Sequence, residues 1–381
     1  MTYVVRPARF EDQAAVSELL GSIGWITRSR KGWEWLFKDN PCRRNQPEDA
    51  PIGWVIEDNQ KLHGYLANIH LDYTMSGNDI KAVACSNYYI SDEARSMGFK
   101  IMSEFFRQKN VEFYMSTTAN SFSAPVYKMF KAASPEDPSF RKILFWFADT
   151  KELIRDVCQT TNYIPNVLGS LAPVLAPIVN FATILTGRRI PKAKNFKGQI
   201  RHLTVDEIGK EFDDLWQEYQ KGDALKVRRD AEILRWYLSD PDCNSKISLF
   251  GAYEDDRLVG YAICGKHQPT HDVIAQYKVM DMVTLPNSKD VTAAILSKAL
   301  EQAKREKAGL LVASRLNEKL ASTFDQMGSL SIGLKETAHF ARSTNKELIK
   351  KVIAQGGWEA TGLDGDGLFS LLSVDAKSNV L

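Results

Sequence analysis

Hydrophobic and polar positions along the chain change period several times. Residues 4–9, "VVRPAR", read as a short strand. Residues 10–24, "FEDQAAVSELLGSIG", switch to helical spacing, with Ala15, Val16, Leu19 and Leu20 behind an acidic first turn. Residues 53–77 predict two strands around a polar turn. A strand over 79–91, a helix over 98–110, a strand over 111–118 and a helix from 123 to 133 follow.

The same order returns in the second half. Residues 199–219 predict strand then helix, 248–265 a hairpin, 277–286 a strand, 291–306 a helix and 308–314 a strand. Local echoes accompany it. "EDNQKLHGY" (57–65) parallels "EDDRLVGY" (254–261), and "WEWLFKDNP" (33–41) parallels "LRWYLSDP" (234–241). Asn120 and Phe130 parallel Asn317 and Met327. An offset of roughly 197 residues, kept in order, predicts an internal duplication. The expected division is a first domain over 1–150, an apolar helical connector over 151–198 and a second domain over 199–381.

Composition narrows the class. The chain has 381 residues, 44% hydrophobic and 25% charged, as in soluble globular proteins. Its net charge of +2 gives no support to nucleic-acid binding. Cys42, Cys85, Cys158, Cys243 and Cys264 form no CxxC pair, so neither a zinc knuckle nor a disulfide framework is expected. The first residues have no apolar signal core, which predicts a cytoplasmic protein. Residues 166–187 carry no charge and approach the length of a membrane span. Pro173 and Pro177 argue instead for a buried connector or helical pair, without stable membrane insertion.

The stretch "ISDEARSMGFKIM" (90–102) joins a strand end to a helix start. A helix N-terminus beside a strand's carboxyl end suits a pyrophosphate. Gly98 permits close approach and positive φ, and Arg95 and Lys100 add charge. By itself the stretch reads more readily as a plain turn capped by Gly98, since a lone glycine is a weak signal. Together with the order of elements, Arg95-Ser96-Met97-Gly98-Phe99-Lys100 and the later Asn120, Tyr127 and Phe130 resemble the GCN5-related N-acetyltransferase (GNAT) superfamily. Lys100 departs from the small residue usual there. The resemblance implies an α/β fold, a mixed sheet with flanking helices, as two tandem GNAT-like domains, the second degenerate. "TLPNSKDVTAAIL" (284–296) has no Arg-x-x-Gly.

The resemblance also implies acyl-coenzyme A as donor. Residues 95–100 would hold the pyrophosphate, and Tyr89, Ile90 and Ser91 with Asn120 the pantetheine. Tyr127 would be the general acid. For the base, the candidates are His70 and Asp72, with Glu34 and Glu93 behind them; His70 has the suitable ordinary pKa. On the acceptor side the candidates are Trp33, Trp35, Arg235, Trp236, Tyr237, Asp281, Asp364 and Asp366. The Asp364-x-Asp366 pair lacks the further ligands of a metal site. Tandem proteins of this kind resemble sugar N-acyltransferases that act on a dTDP-linked amino sugar, as monomer or homodimer. Two other readings stand beside this one: a Fem-type transferase using aminoacyl-tRNA, and a non-catalytic binding protein.

Overall fold

The computed structural model describes residues 2–25, 27–59, 61–160, 171–190, 192–243, 246–267, 274–285, 288–314, 316–335, 339–365 and 367. The first half runs β1 (Val4–Pro7), α1 (Gln13–Ser22), α2 (Arg30–Phe37), α3 (Pro41–Arg44), β2 (Gly53–Glu57), β3 (Leu62–Met75), β4 (Asn78–Ile90), α4 (Gly98–Phe106), β5 (Phe113–Ser116), α5 (Ala124–Met129) and β6 (Lys142–Phe147). Two connecting helices follow, α6 (Thr150–Thr160) and α7 (Ala172–Leu185). The second half runs β7 (Gln199–Leu203), α8 (Lys210–Tyr219), β8 (Lys226–Val227), α9 (Ala231–Leu238), β9 (Ile247–Glu254), β10 (Arg257–His267), β11 (Gln276–Thr284), α10 (Lys289–Arg305), β12 (Leu310–Ser314), α11 (Glu318–Gln326), β13 (Leu330–Gly333), β14 (Phe340–Arg342) and α12 (Lys346–Ile353).

The two halves form two seven-stranded sheets, and each draws on the other half for strands, β8 and β14 joining the first and β6 the second. One has the order β1-β2-β3-β4-β5-β14, with β8 paired to β3; the other is β13-β6-β12-β11-β10-β9-β7. β6 lies antiparallel to β12, and β14 antiparallel to β5. The exchange is therefore reciprocal, and both sheets remain incomplete until the two halves interlock.

Alternation along the strands decides what each face covers. On β3, Tyr65, Ala67, Ile69, Leu71 and Tyr73 point into a core shared with Leu249, Tyr261 and Ile263 of the second sheet. Leu66, on the opposite face, packs with Ile101 and Phe105 of α4 and Tyr127 of α5. In the second sheet, Phe250 and Cys264 likewise face Ile295 and Leu296 of α10.

The repeated tryptophan motif lies where the halves meet. Trp35 and Trp236 stack with centroids 4.8 Å apart and planes at 16°. The Trp35 indole N–H donates to the Trp236 carbonyl at 2.8 Å, and the Trp236 indole donates to the Trp35 carbonyl at 3.0 Å. This reciprocity is the mark of a local two-fold. Beside it, Arg28 donates to both carboxylate oxygens of buried Asp240, at 2.9 and 3.0 Å.

A strap formed by residues 358–365 passes between the sheets. Trp358, Ala360, Leu363 and Asp364 are buried. The tail is thus interior at Asp364, which the sequence offered as an acceptor-side candidate; Asp366 lies outside the described residues. The connector differs too. α6 and α7 do form a helical pair, but Val174, Ile178 and Phe181 of α7 face solvent. Among the described residues no helix is long and apolar enough to cross a membrane.

Truncating either tryptophan removes the stack and one indole donor of the reciprocal pair. Trp35→Ala and Trp236→Ala should each lower unfolding stability by about 3–5 kcal/mol. The double variant should lose clearly less than the sum, because the two share one contact. Urea denaturation of all four proteins measures this, and simple additivity would rule out the coupling.

Candidate active site

β4 and β5 are parallel and paired only from Ala82–Ala84 to Phe113–Met115. β4 continues to Ile90, whereas β5 ends at Ser116. A register shift on the β3 side between Tyr65 and Ala67, with Asn87 at φ 50°, marks an irregularity where β4 bends. The carboxyl ends of two parallel strands thus part, and beyond Ala84 the β4 backbone has no ladder with β5. Ligands of α/β sheets favour such positions.

The chain leaving β4 is anchored before it reaches α4. The Ser91 N–H donates to the His63 carbonyl at 2.7 Å. His63 Nε2 lies 2.9 Å from Asp58 Oδ2, and its Nδ1 lies 3.3 Å from Ser91 Oγ. Nothing in the sequence pattern singled out His63; its only signal was a place at the predicted hairpin turn. A 3-10 turn over Asp92–Met97 then runs straight into α4.

Gly98 has φ −58°, so the positive φ allowed by the sequence is not used. A Cβ there would lie 3.2 Å from Tyr88 Oη and 3.4 Å from Ile90 Cδ1. The glycine lets α4 press against β4. Arg95 pairs with Asp92 at 2.5 Å, and Ser96 and Lys100 are exposed. Met97 and Ile90 pack under the loop, while exposed Phe99 stacks on Phe130 at 4.8 Å. Tyr89 meets Trp25 edge-on at 6.0 Å.

Asn120 sits past the end of β5. Its side-chain oxygen accepts from the N–H groups of Phe122 and Ser123, both at 3.0 Å, fixing the start of α5. Its counterpart Asn317 caps α11 through the Leu320 N–H at 3.1 Å. Tyr127 is only 3% exposed, with its ring stacked on Phe340 at 5.4 Å. That placement makes the ring part of the core between α5 and the exchanged strand.

The two base candidates do not form a pair. His70 and Asp72 lie on β3, opposite Val83 and Lys81. His70 is buried, with Nε2 3.3 Å from the Pro51 carbonyl, and desolvation pulls its pKa down to about 4. Asp72 accepts from Lys81 Nζ at 2.8 Å. Tyr89 is six residues further along β4 than Val83, about 20 Å away. Neither residue shares the open end of the gap. Glu34 pairs with Arg30, and Glu93 with Ser91.

The acceptor candidates separate into two groups. Trp35, Arg235 and Trp236 border an open cleft of about 590 Å³ that Lys31, Glu34 and Glu232 also line. Trp33 packs instead against Phe37 and Tyr65. Tyr237, Asp281 and Asp364 belong to a buried polar network. Arg229, 1% exposed, donates from Nε to both oxygens of Asp281, at 3.1 and 3.0 Å, and its NH2 nitrogen lies 3.9 Å from Asp364. Tyr261 donates to Asp281 at 2.8 Å, and Tyr237 to the Leu363 carbonyl at 3.0 Å. Asp364 accepts from Tyr73 at 2.6 Å and from the Trp358 indole at 3.0 Å. Burial raises the Asp364 pKa, against the opposing pull of Arg229.

This network reaches the gap. The Tyr73 hydroxyl also lies 3.2 Å from Met115 Sδ on β5. Thr117, just past β5, donates to the Asp364 carbonyl at 3.2 Å. A cavity of about 90 Å³ lies between Thr117, the strap residues Thr361 and Asp364, and the β11–β12 residues Lys278, Met280 and Val312, so most of its wall belongs to the second sheet. In the second sheet, β11 and β12 part similarly after Lys278 and Val312, but there Gly362 of the strap presses against Met280. Among the described residues no group of acids, histidines and cysteines could hold a metal ion.

No protein-family model matches the sequence, and neither does any curated protein. Solved structures do match in fold. A probable N-acyltransferase from Enterococcus faecalis is 13% identical, with a TM-score of 0.55 over 90% of this chain and 73% of that one. N-myristoyltransferase from Saccharomyces cerevisiae, crystallised with myristoyl-CoA, is 10% identical, with a TM-score of 0.54 over 90% and 79%. A GCN5-related N-acetyltransferase from Kribbella flavida is 9% identical, with a TM-score of 0.52 over 90% and 71%. The chain has this fold: two mixed sheets with flanking helices, arranged as tandem GNAT-like domains.

His70 sets a pH dependence whose sign follows from its lowered pKa. The unfolded chain binds a proton below about pH 6.5 that the folded chain refuses until about pH 4. Stability should therefore fall as pH drops through that window, by up to about 3 kcal/mol from this group. His70→Gln should flatten the slope of urea stability between those values; an unchanged slope would refute the assignment.

Proposed function

We propose that this protein is an acyl-CoA-dependent N-acyltransferase whose donor lies in the gap between β4 and β5. The observation that carries the reading is the parting of these parallel strands beyond Ala84, with α4 starting just beyond the end of β4. From Asn87 to Ile90, where β4 has no ladder with β5, the β4 backbone offers main-chain partners for an extended pantetheine chain. Arg95 and Lys100 stand exposed at the head of α4 to meet phosphate. The nearby acids are already partnered, Asp92 by Arg95 and Glu93 by Ser91. The myristoyl-CoA bound in the yeast N-myristoyltransferase structure supports the same donor class.

For the acceptor we propose the amine of a nucleotide-linked amino sugar, such as a dTDP-linked one. The amine would approach through the cavity between Thr117 and the strap, with Asp364 as proton acceptor in place of His70 or Asp72. Its nitrogen attacks the thioester carbonyl carbon, the C–S bond breaks, and the amine proton passes by way of Asp364 to the departing thiolate. Burial raises the Asp364 pKa and so strengthens it as a proton acceptor. The second gap, where the strap crosses Met280, would bind no second donor.

Thiol release from acetyl-CoA and longer acyl-CoA donors, tested across a panel of nucleotide-linked amino sugars, measures the activity. Lys100→Glu should raise the KM for the donor about tenfold with kcat nearly unchanged, as loss of one charge-assisted contact predicts. Donor binding that is absent by calorimetry, or indifferent to Lys100→Glu, would count against the gap as its seat.

A further inference from the structure

α7 is fourteen residues long and has no ionisable side chain. One side faces α6: Ala172 and Ala176 are buried, and Thr150 donates to Asn180 at 2.6 Å. Another side carries Leu171 (just before the helix), Val174, Ile178, Phe181 and Leu185, which are 44–70% exposed. Their spacing of three and four residues makes one continuous apolar stripe. Isolated exposed apolar residues need no explanation, whereas a stripe of five does.

The charge around the stripe indicates what covers it. From Val157 to Val205 the sequence has no aspartate or glutamate. Arg188, Arg189, Lys192, Lys194 and Lys197 follow the helix, all exposed. Arg188 donates to the Ser329 carbonyl at 2.9 Å, but none of the five makes an ion pair among the described residues. A second copy docked on the stripe would bring two such clusters together without neutralising either. An anionic lipid surface would neutralise the cations at its headgroups and take the stripe out of water at once. The helix is about 21 Å long, too short to cross a hydrocarbon core of about 30 Å.

From this we infer that the protein docks on anionic lipid membranes through α7, which lies in the interface with its apolar stripe down and its trailing cations on the headgroups. Apolar burial and attraction to acidic lipids add in such helices. The inference does not depend on the acyltransferase reading.

Co-sedimentation of the full chain with phosphatidylglycerol–phosphatidylcholine vesicles tests it, with pure phosphatidylcholine vesicles as comparison. Binding is expected to the acidic vesicles and to weaken with salt. Ile178→Asp with Phe181→Asp should cut the partition at least about tenfold, as lost burial of two large side chains predicts. Arg189→Glu with Lys192→Glu should abolish the preference for acidic lipid. Circular dichroism and melting temperature should be unchanged in both, since these side chains are exposed. Wild-type protein that stays in the supernatant, or sedimentation that neither variant alters, would overturn the inference. So would a dimer in analytical ultracentrifugation that Phe181→Asp dissolves, because a second copy would then be the occupant.

Discussion

The buried guanidinium of Arg229 is the constraint around which the centre of this molecule is arranged. A charge removed from water is tolerable only with close, well-placed partners. Here Asp281 comes from β11 of one sheet, and Asp364 from the strap. Asp364 in turn takes a hydrogen bond from Tyr73 on the other sheet. One cation therefore fixes the positions of three segments that are remote in sequence. The aromatic rings of Tyr219, Tyr237 and Tyr261 surround the pair, and burial pushes the pKa of each tyrosine well up, so each stays a neutral donor.

The duplication gives two similar halves, and this centre makes them unequal. At the tryptophan pair the halves behave alike, each indole serving the other's backbone. At the strand gaps they diverge. The first gap opens beside Thr117, while the second is crossed by the strap at Gly362. The strap thus touches both places with one segment: Gly362 presses on Met280 at one gap, and the Asp364 carbonyl accepts from Thr117 beside the other. Such division of labour between copies is what a duplicated fold permits.

Much of this fold was legible in the sequence because it is local. The change from period two to helical spacing located the strands and helices of both halves, and the paired echoes located the duplication. What could not be read were the long-range pairings. Nothing in "KILFWF" says that β6 will lie beside β12 instead of β5. Asp364 stood in a glycine-rich tail and looked superficial; its burial is set by Arg229, more than a hundred residues away. The site was legible in part. Residues 89–100 do lie at the open strand end. His70 and Asp72 share a strand with that region, but their register with β4 places them well away from it. Gly98 was notable for a reason the sequence could not separate: close packing and positive φ both call for glycine, and here packing alone is used.

The strand exchange also governs how the protein can be made. β14, at Phe340–Arg342, follows β5, at Phe113–Ser116, only after nearly the whole second half has intervened. Until β14 has been synthesised, β5 is an unprotected edge of the first sheet. Such an edge invites pairing with other nascent chains. The first half consequently cannot mature as it emerges, and must wait, with its hydrogen bonds unmet on one side, for a strand of the second half.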